Sequence, residues 1–281
     1  MNRRTEEKIA FLILRVASIV VLIPTAFIIY FLVVRGARGL SLEFLFSYPR
    51  ENMTAGGILP AIIGTLYLVA GTIVFSVPLG VLSAIYLSEY AKPGPITRLI
   101  RLSIVNLAGV PSIVYGLFGF GIFVLLLRLG ASILSGSLTL AILVLPLVIV
   151  ASEEALRSVP QSFRDASLAL GGSKWQTVRR IVLPNALPGI LTGVILAIGR
   201  AAGETAPVLF TVAAFYLPRL PQTIYDQAMV LPYHLYIIST QVPNSPPHIQ
   251  WGTALTLLII VLGMNIIAML IRAMYRRRIP W

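Results

Sequence analysis

The chain has 281 residues, 57% of them hydrophobic and only 11% charged, with no cysteine and a formal net charge of +12. A soluble domain carries about 25% charged residues, so this composition excludes a water-soluble globule and suits about six spans of about 20 residues each. The missing cysteines exclude disulfide and thiolate chemistry, and the basic residues fall in short clusters between apolar runs, which speaks against a nucleic-acid partner and for a membrane.

In chain order, the pattern predicts an all-α membrane protein. After the tail Met1–Lys8, the first span covers about Ile9–Val34. It is too long for the apolar core of a signal peptide, and no small-residue cleavage site follows, so it reads as an uncleaved helix. The tail, this span and a loop make up residues 1–59, and the remaining spans make up 60–281. Those spans are expected at about Pro60–Ser88, Leu102–Leu127, Ser137–Ser152, Asn185–Ala214 and Gly252–Ile271. Pro24, Pro78, Pro111, Pro146 and Pro207 fall within or at the ends of spans, and Gly116, Gly119 and Gly121 crowd the third. Each alone reads as ordinary packing; as a set they suggest irregular helices around a path.

Lys and Arg fix the expected orientation. The tail, the second-to-third loop, the fourth-to-fifth loop and the C-terminal end hold fifteen of them, against five on the opposite side, with Arg15 and Arg200 inside spans. That imbalance predicts both termini in the cytoplasm.

The connection 153–184 is polar yet helical in pattern. Pro160 starts a helix whose apolar positions are Ala166, Leu168, Ala169 and Leu170, and Gly171-Gly172 ends it. Ser173 can cap a second helix with Trp175, Val178, Ile181 and Val182 as apolar positions, and Pro184 opens span five. Two short helices bury little by themselves, so the membrane interface or a partner protein is expected to cover them. Glu153 and Glu154, at the end of span four, read as water-facing helix-end or docking features rather than an acid–base pair.

One apolar run, about Leu187–Thr211, holds a full charge of each sign, Arg200 and Glu204. A charge at mid-bilayer costs about 2.5–3.5 kcal/mol on insertion scales. Four residues apart in a helix, the two share a face and can pair. One reading is a structural ion pair between packed helices; the other is a polar element of an anion path. A guanidinium presents a planar fork of donors that suits phosphate oxygens. Glu204 would hold Arg200 when the path is empty, and can accept a hydrogen bond from a protonated phosphate oxygen, which sulfate lacks at neutral pH. Thr205 follows directly and is counted with the path.

No catalytic equipment is visible. Gly171-Gly172-Ser173-Lys174 lacks the spacing of a phosphate-binding loop, and His234 and His248 lack metal-ligand spacing. The chain reads as a non-enzyme with no metal and no cofactor of its own.

Asp165-Ala166-Ser167, then Gly171, then Ile181-Val182-Leu183-Pro184 resembles the EAA loop of ABC-importer permeases, whose pattern is Glu-Ala-Ala, three residues, Gly, nine residues, Ile-x-Leu-Pro. Asp replaces Glu and Ser replaces the second Ala; the spacing is kept. The run from Asn106 to Gly116, the run from Gly199 to Pro207 and Leu231-Pro232-Tyr233-His234-Leu235-Tyr236 are similar to the phosphate permeases, in the PstA type rather than the PstC type. The resemblance covers about residues 60–275. It implies a type I ABC importer permease fold in the cell inner membrane, with a coupling helix that docks into an ATPase through Asp165, Ala166, Ser167, Gly171, Leu183 and Pro184. It further implies a PstB-like ATPase dimer that carries the ATP, a PstC-like second permease and a PstS-like phosphate-binding protein outside. Two other classes stay open. A permease for another oxyanion, molybdate or sulfate, keeps the loop; a proton-coupled secondary transporter relaying through Glu204 leaves the loop unexplained. A purely structural membrane subunit is the blandest reading.

Overall fold

Within lipid the backbone must satisfy its own hydrogen bonds, and long apolar runs do so as helices. The computed structural model describes residues 3–276. Its helices are α1 (Arg3–Gly36), α2 (Leu42–Phe46), α3 (Leu59–Ile85), α4 (Pro95–Ala108), α5 (Ser112–Gly119), α6 (Ile133–Arg157), α7 (Gln161–Ala169), α8 (Lys174–Thr177), α9 (Leu183–Gly203), α10 (Ala206–Thr211), α11 (Leu231–Thr240) and α12 (Pro247–Arg276). Wider π turns prolong α3 over Tyr86–Tyr90 and α5 over Phe120–Leu126, and join α8 to α9 over Val178–Val182.

Five segments are long and apolar enough to cross a membrane: Phe11–Gly39, Leu59–Tyr90, Ile133–Arg157, Lys174–Gly203 and Pro247–Tyr275. The sixth exists only as a bent pair, α4 with the prolonged α5, at 102°. The third span, expected as one helix, is therefore broken at Gly109-Val110-Pro111. Pro111 has no N–H to donate and drives Val110 away from helical geometry. Tyr115, one turn further on, donates its hydroxyl back to the Leu107 carbonyl at 2.8 Å and ties the two arms together.

The fifth span also differs from expectation. It begins at Lys174 rather than Asn185 and stops at Gly203 rather than running on to Ala214. Pro207 cannot donate to the Gly203 carbonyl and its ring would collide there, so the helix ends and restarts with Pro207 in the first turn of α10. Glu204 lies outside the helix, with extended φ −73° and ψ 131°.

The core is built on α3, α6 and α9. Leu140, Leu143, Val144 and Val148 of α6 are fully enclosed, with Leu68 of α3 and Ala197 and Ala201 of α9 packed in the same cluster. By contrast, the apolar stretch of α1 is unburied along its length. α1 meets α12 near its end, where Phe31 and Trp251 stack edge to face at 5.3 Å. The opposite end of α6 from α7 is closed by the end of α10 and the segment after it: Ser132, Ile133 and Leu134 donate their N–H groups to the carbonyls of Thr211, Asp226 and Ile224, each at 2.9 Å. Leu231 N–H donates to Thr65 Oγ1 at 2.9 Å, which anchors α11 on α3. Burial lowers the His234 imidazole of α11 to about 4, so it packs as a neutral ring.

Candidate functional site

Arg200 occupies the last turn of α9 and Glu204 the extended residue beyond it. Nε of Arg200 donates to Oε1 of Glu204 at 3.4 Å, with the side chains 36% and 16% exposed. The pair forms as expected, but not along one helical face, because the helix has already ended. Among the described residues the two Nη groups of Arg200 make no hydrogen bond, so the donor fork stays open to an anion. Thr205 is half-buried at the start of α10 and receives the Leu209 N–H on its carbonyl at 3.0 Å.

The two broken helices meet beside this pair. A Cβ on Gly116 of α5 would fall 2.8 Å from Pro207 Cα and 3.1 Å from the Ala206 carbonyl of α10. Only a glycine permits this approach, and it fixes where Glu204 and Thr205 stand. Interrupted helices that end near charged groups are a recurrent way to build a transport site inside a membrane.

A second constellation lies at the other end of α9. Gly171 has φ +83°, and the N–H groups of Gly171 and Gly172 donate to Leu168 and Ser167 carbonyls at 3.0 Å, a Schellman ending for α7. Nothing lies within 4 Å of a Cβ at Gly171, so the backbone angle alone selects glycine there. Ser173 and Gln176 then form a reciprocal capping box for α8.

The predicted pair of helices needs one correction. Its second helix is not separate: it passes through the π turn and past Pro184 into α9 as one segment, Lys174–Gly203. A wider turn removes the conflict that a proline creates inside a regular helix. The apolar positions of α7 and α8 largely face outward, as expected of helices that the membrane interface or a partner would cover. Leu168 and Leu170 are 49% and 90% exposed, and Trp175 is 53% exposed. Phe163 packs inward instead, against the cluster that buries Val178 and Val182. Of the other docking residues, Asp165 accepts from Gln161 Nε2 at 3.0 Å, Ala166 is exposed, and Ser167 shares a 2.8 Å hydrogen bond with Thr177. Leu183 packs on the same cluster, while Pro184 is exposed. These residues are thus spread over α7, the turn that closes it and the start of α9, the helix whose far end carries Arg200.

Sequence reasoning missed a set of ion pairs around this element. Arg164 binds Glu89 at 2.7 Å, with side chains 12% and 8% exposed. Glu153, expected to face water, is 12% exposed and holds both Arg101 at 2.9 Å and Arg157 at 2.7 Å; Glu154 does remain exposed. The Glu153–Arg157 spacing was a usable local signal. No local spacing could have linked Glu89 to Arg164.

A model of the family "Binding-protein-dependent transport system inner membrane component" matches residues 76–280. The chain is 37% identical to "Phosphate transport system permease protein PstA 1" of Mycobacterium tuberculosis, over 100% of this chain and 92% of that one. It is 34% identical to "Phosphate transport system permease protein PstA" of Yersinia pestis, over 96% and 91% of the two chains. Among solved structures, a bacterial alginate ABC transporter in complex with its alginate-bound periplasmic protein shares the fold with a TM-score of 0.67 at 13% identity, over 94% of this chain and 93% of that one. The MetNI methionine ABC transporter, inward facing, gives 0.62 at 17% identity, over 78% and 97%. With a broken charged span at one end and an outward-facing helical element at the other, the chain belongs to the binding-protein-dependent inner membrane components, the permease subunits of ABC importers, and within them to the PstA type.

Proposed function

We propose that this chain forms half of the translocation path of an ATP-driven importer of inorganic phosphate. The observation that carries the reading is Arg200 at the broken end of α9, held to Glu204 through Nε with its donor fork open. An importer needs an anion site that is neutralised when empty and yields when loaded, and a single long bond between partly exposed groups meets both needs. The other half is assigned to a PstC-like permease, ATP binding and hydrolysis to a PstB-like ATPase dimer, and delivery to a PstS-like binding protein. This chain itself binds no cofactor and catalyses no reaction. The test is uptake of radiolabelled phosphate into proteoliposomes containing the whole complex. Uptake that needs ATP and resists excess sulfate or molybdate is expected. Uptake driven by a proton gradient without ATP would favour the secondary-transporter reading, and preferred sulfate or molybdate uptake the other-oxyanion reading.

The basic clusters support an orientation with α7, α8 and both termini in the cytoplasm. The chain has no cysteine, so Ser173→Cys gives one labelling site, at an exposed residue. An impermeant thiol reagent added to intact cells is expected to leave it unlabelled, and to label it once the membrane is opened. Labelling in intact cells would reverse the topology.

Asp165, Ala166, Ser167, Gly171, Leu183 and Pro184 are assigned to ATPase coupling, with exposed Leu168, Leu170 and Trp175 beside them as the apolar surface a partner would cover. Gly171→Arg forces a side chain into a left-handed backbone position, at a cost of about 1–2 kcal/mol. It is expected to release the ATPase on purification while leaving the spans inserted. Undiminished co-purification and uptake would remove Gly171 from the docking surface.

A further inference from the structure

Three cations from three other helices converge on the π turn Tyr86–Tyr90 that ends α3. Arg164 of α7 donates to Glu89 from Nε, 3.3 Å from each carboxylate oxygen, and from Nη2 at 2.7 Å. Arg101 of α4 donates to the Leu87 carbonyl at 2.8 Å. Lys174 of α8 places Nζ 5.0 Å from the centre of the Tyr90 ring. Arg164 also closes the end of α6, donating to the Val159 and Leu156 carbonyls at 2.7 and 2.8 Å. One guanidinium therefore joins α7, α6 and the end of α3.

A pair this enclosed adds little net stability over well-packed apolar residues, because both charges lose their water. What it supplies is position. A cavity of about 470 Å³ opens alongside, lined by Ser88, Glu89, Gln161, Arg164, Leu168 and Thr177 among others, so on this side α7 is not close-packed against the end of α3. Phe163 and the Ser167–Thr177 bond hold α7 to the start of the next helix, and the fork-to-carboxylate bond holds it to α3, resisting rotation as well as separation. Arg101 links the same turn to α4, α4 bends into α5, and α5 carries α10 at Gly116, next to Glu204.

We infer that the Arg164–Glu89 pair is the joint through which displacement of the docking element α7–α8 reaches α3 and, by way of Arg101, α4. Arg164 and Glu89 are thus positioning residues for transport, distinct from the surface that grips the ATPase. The inference rests on the reading of α7–α8 as the ATPase-docking element.

The test uses the complete importer in proteoliposomes, with binding protein loaded with inorganic phosphate outside and ATP at the ATPase. Arg164→Gln alone leaves Glu89 buried without its partner and invites misfolding, so the decisive variant is the double Arg164→Gln/Glu89→Gln, which buries no charge at this joint. It is expected to insert, to retain the ATPase on purification, and to hydrolyse ATP at the unstimulated rate. Stimulation of hydrolysis by loaded binding protein, and uptake with it, should fall about tenfold. Arg164→Lys keeps the charge without the fork and should give an intermediate value. Full stimulation in the double variant would overturn the inference. So would loss of ATPase co-purification, which would make the pair a support of the docking surface and nothing more. The docking reading is checked separately by Leu170→Asp on the exposed face: if that variant keeps its ATPase, the reading falls and the inference with it.

Discussion

Arg200→Gln is expected to reduce phosphate uptake to background while the protein still reaches the membrane and assembles. The pair it breaks is partly exposed, with Arg200 at 36% and Glu204 at 16%, so its loss should cost only about 1 kcal/mol of stability. The donor fork, by contrast, has no substitute nearby on α9, whose neighbouring residues are alanines and glycines. Glu204→Gln should impair uptake too, by leaving Arg200 free to retain the anion. The informative control is the exchange Arg200→Glu with Glu204→Arg. A structural clamp would be restored by it. A path element would not, because the guanidinium would leave the last turn of α9 for the extended residue beyond. Wild-type uptake by Arg200→Gln, at equal membrane abundance, would remove Arg200 from the path.

Gly116→Val is expected to be the most damaging single change away from any charge. Its Cβ would fall against Pro207 Cα and the Ala206 carbonyl, backbone atoms that cannot turn aside. Overpacking of this kind costs about 1–3 kcal/mol and moves the elements it separates. α10 would shift off α5 and carry Thr205 and Glu204 with it, so uptake should be lost together with thermal stability in detergent. Gly121→Val is the matched control, since a Cβ there meets nothing within 4 Å. Equal melting temperatures for the two variants would show that α10 does not depend on this contact.

Much of the architecture was legible because its signals are local. Apolar length marks a span, Pro160 and Gly171 bracket α7, and Ser173 starts α8, each by the geometry of a few adjacent residues. The Arg200–Glu204 pair was legible for the same reason, as charge in an apolar run. Breaks and continuities were harder. Pro111 and Pro207 end helices while Pro78, Pro146 and Pro188 lie within them, and Pro184 is passed by a π turn. Whether a proline breaks or bends a helix depends on neighbours that can accept the freed groups, and those neighbours are set by the fold. The Arg164–Glu89 joint belongs to this second class: its partners are brought together only when α7 folds under the end of α3. The outward apolar face of α7 was legible because two short helices bury too little by themselves; whether the membrane or a partner covers it was not, since an apolar stripe does not name its covering surface.

The closure of α6 has a consequence for how the protein is made. Its first N–H groups, on Ser132, Ile133 and Leu134, wait for carbonyls of Thr211, Ile224 and Asp226. A ribosome delivers those acceptors only after α7, α8, α9 and α10 have been synthesised. Until then the start of α6 must be hydrated or held by the insertion machinery. A chain truncated before residue 226 would therefore expose a helix end that no earlier segment was seen to seal, and membrane quality-control proteases would have a ready mark of incompleteness.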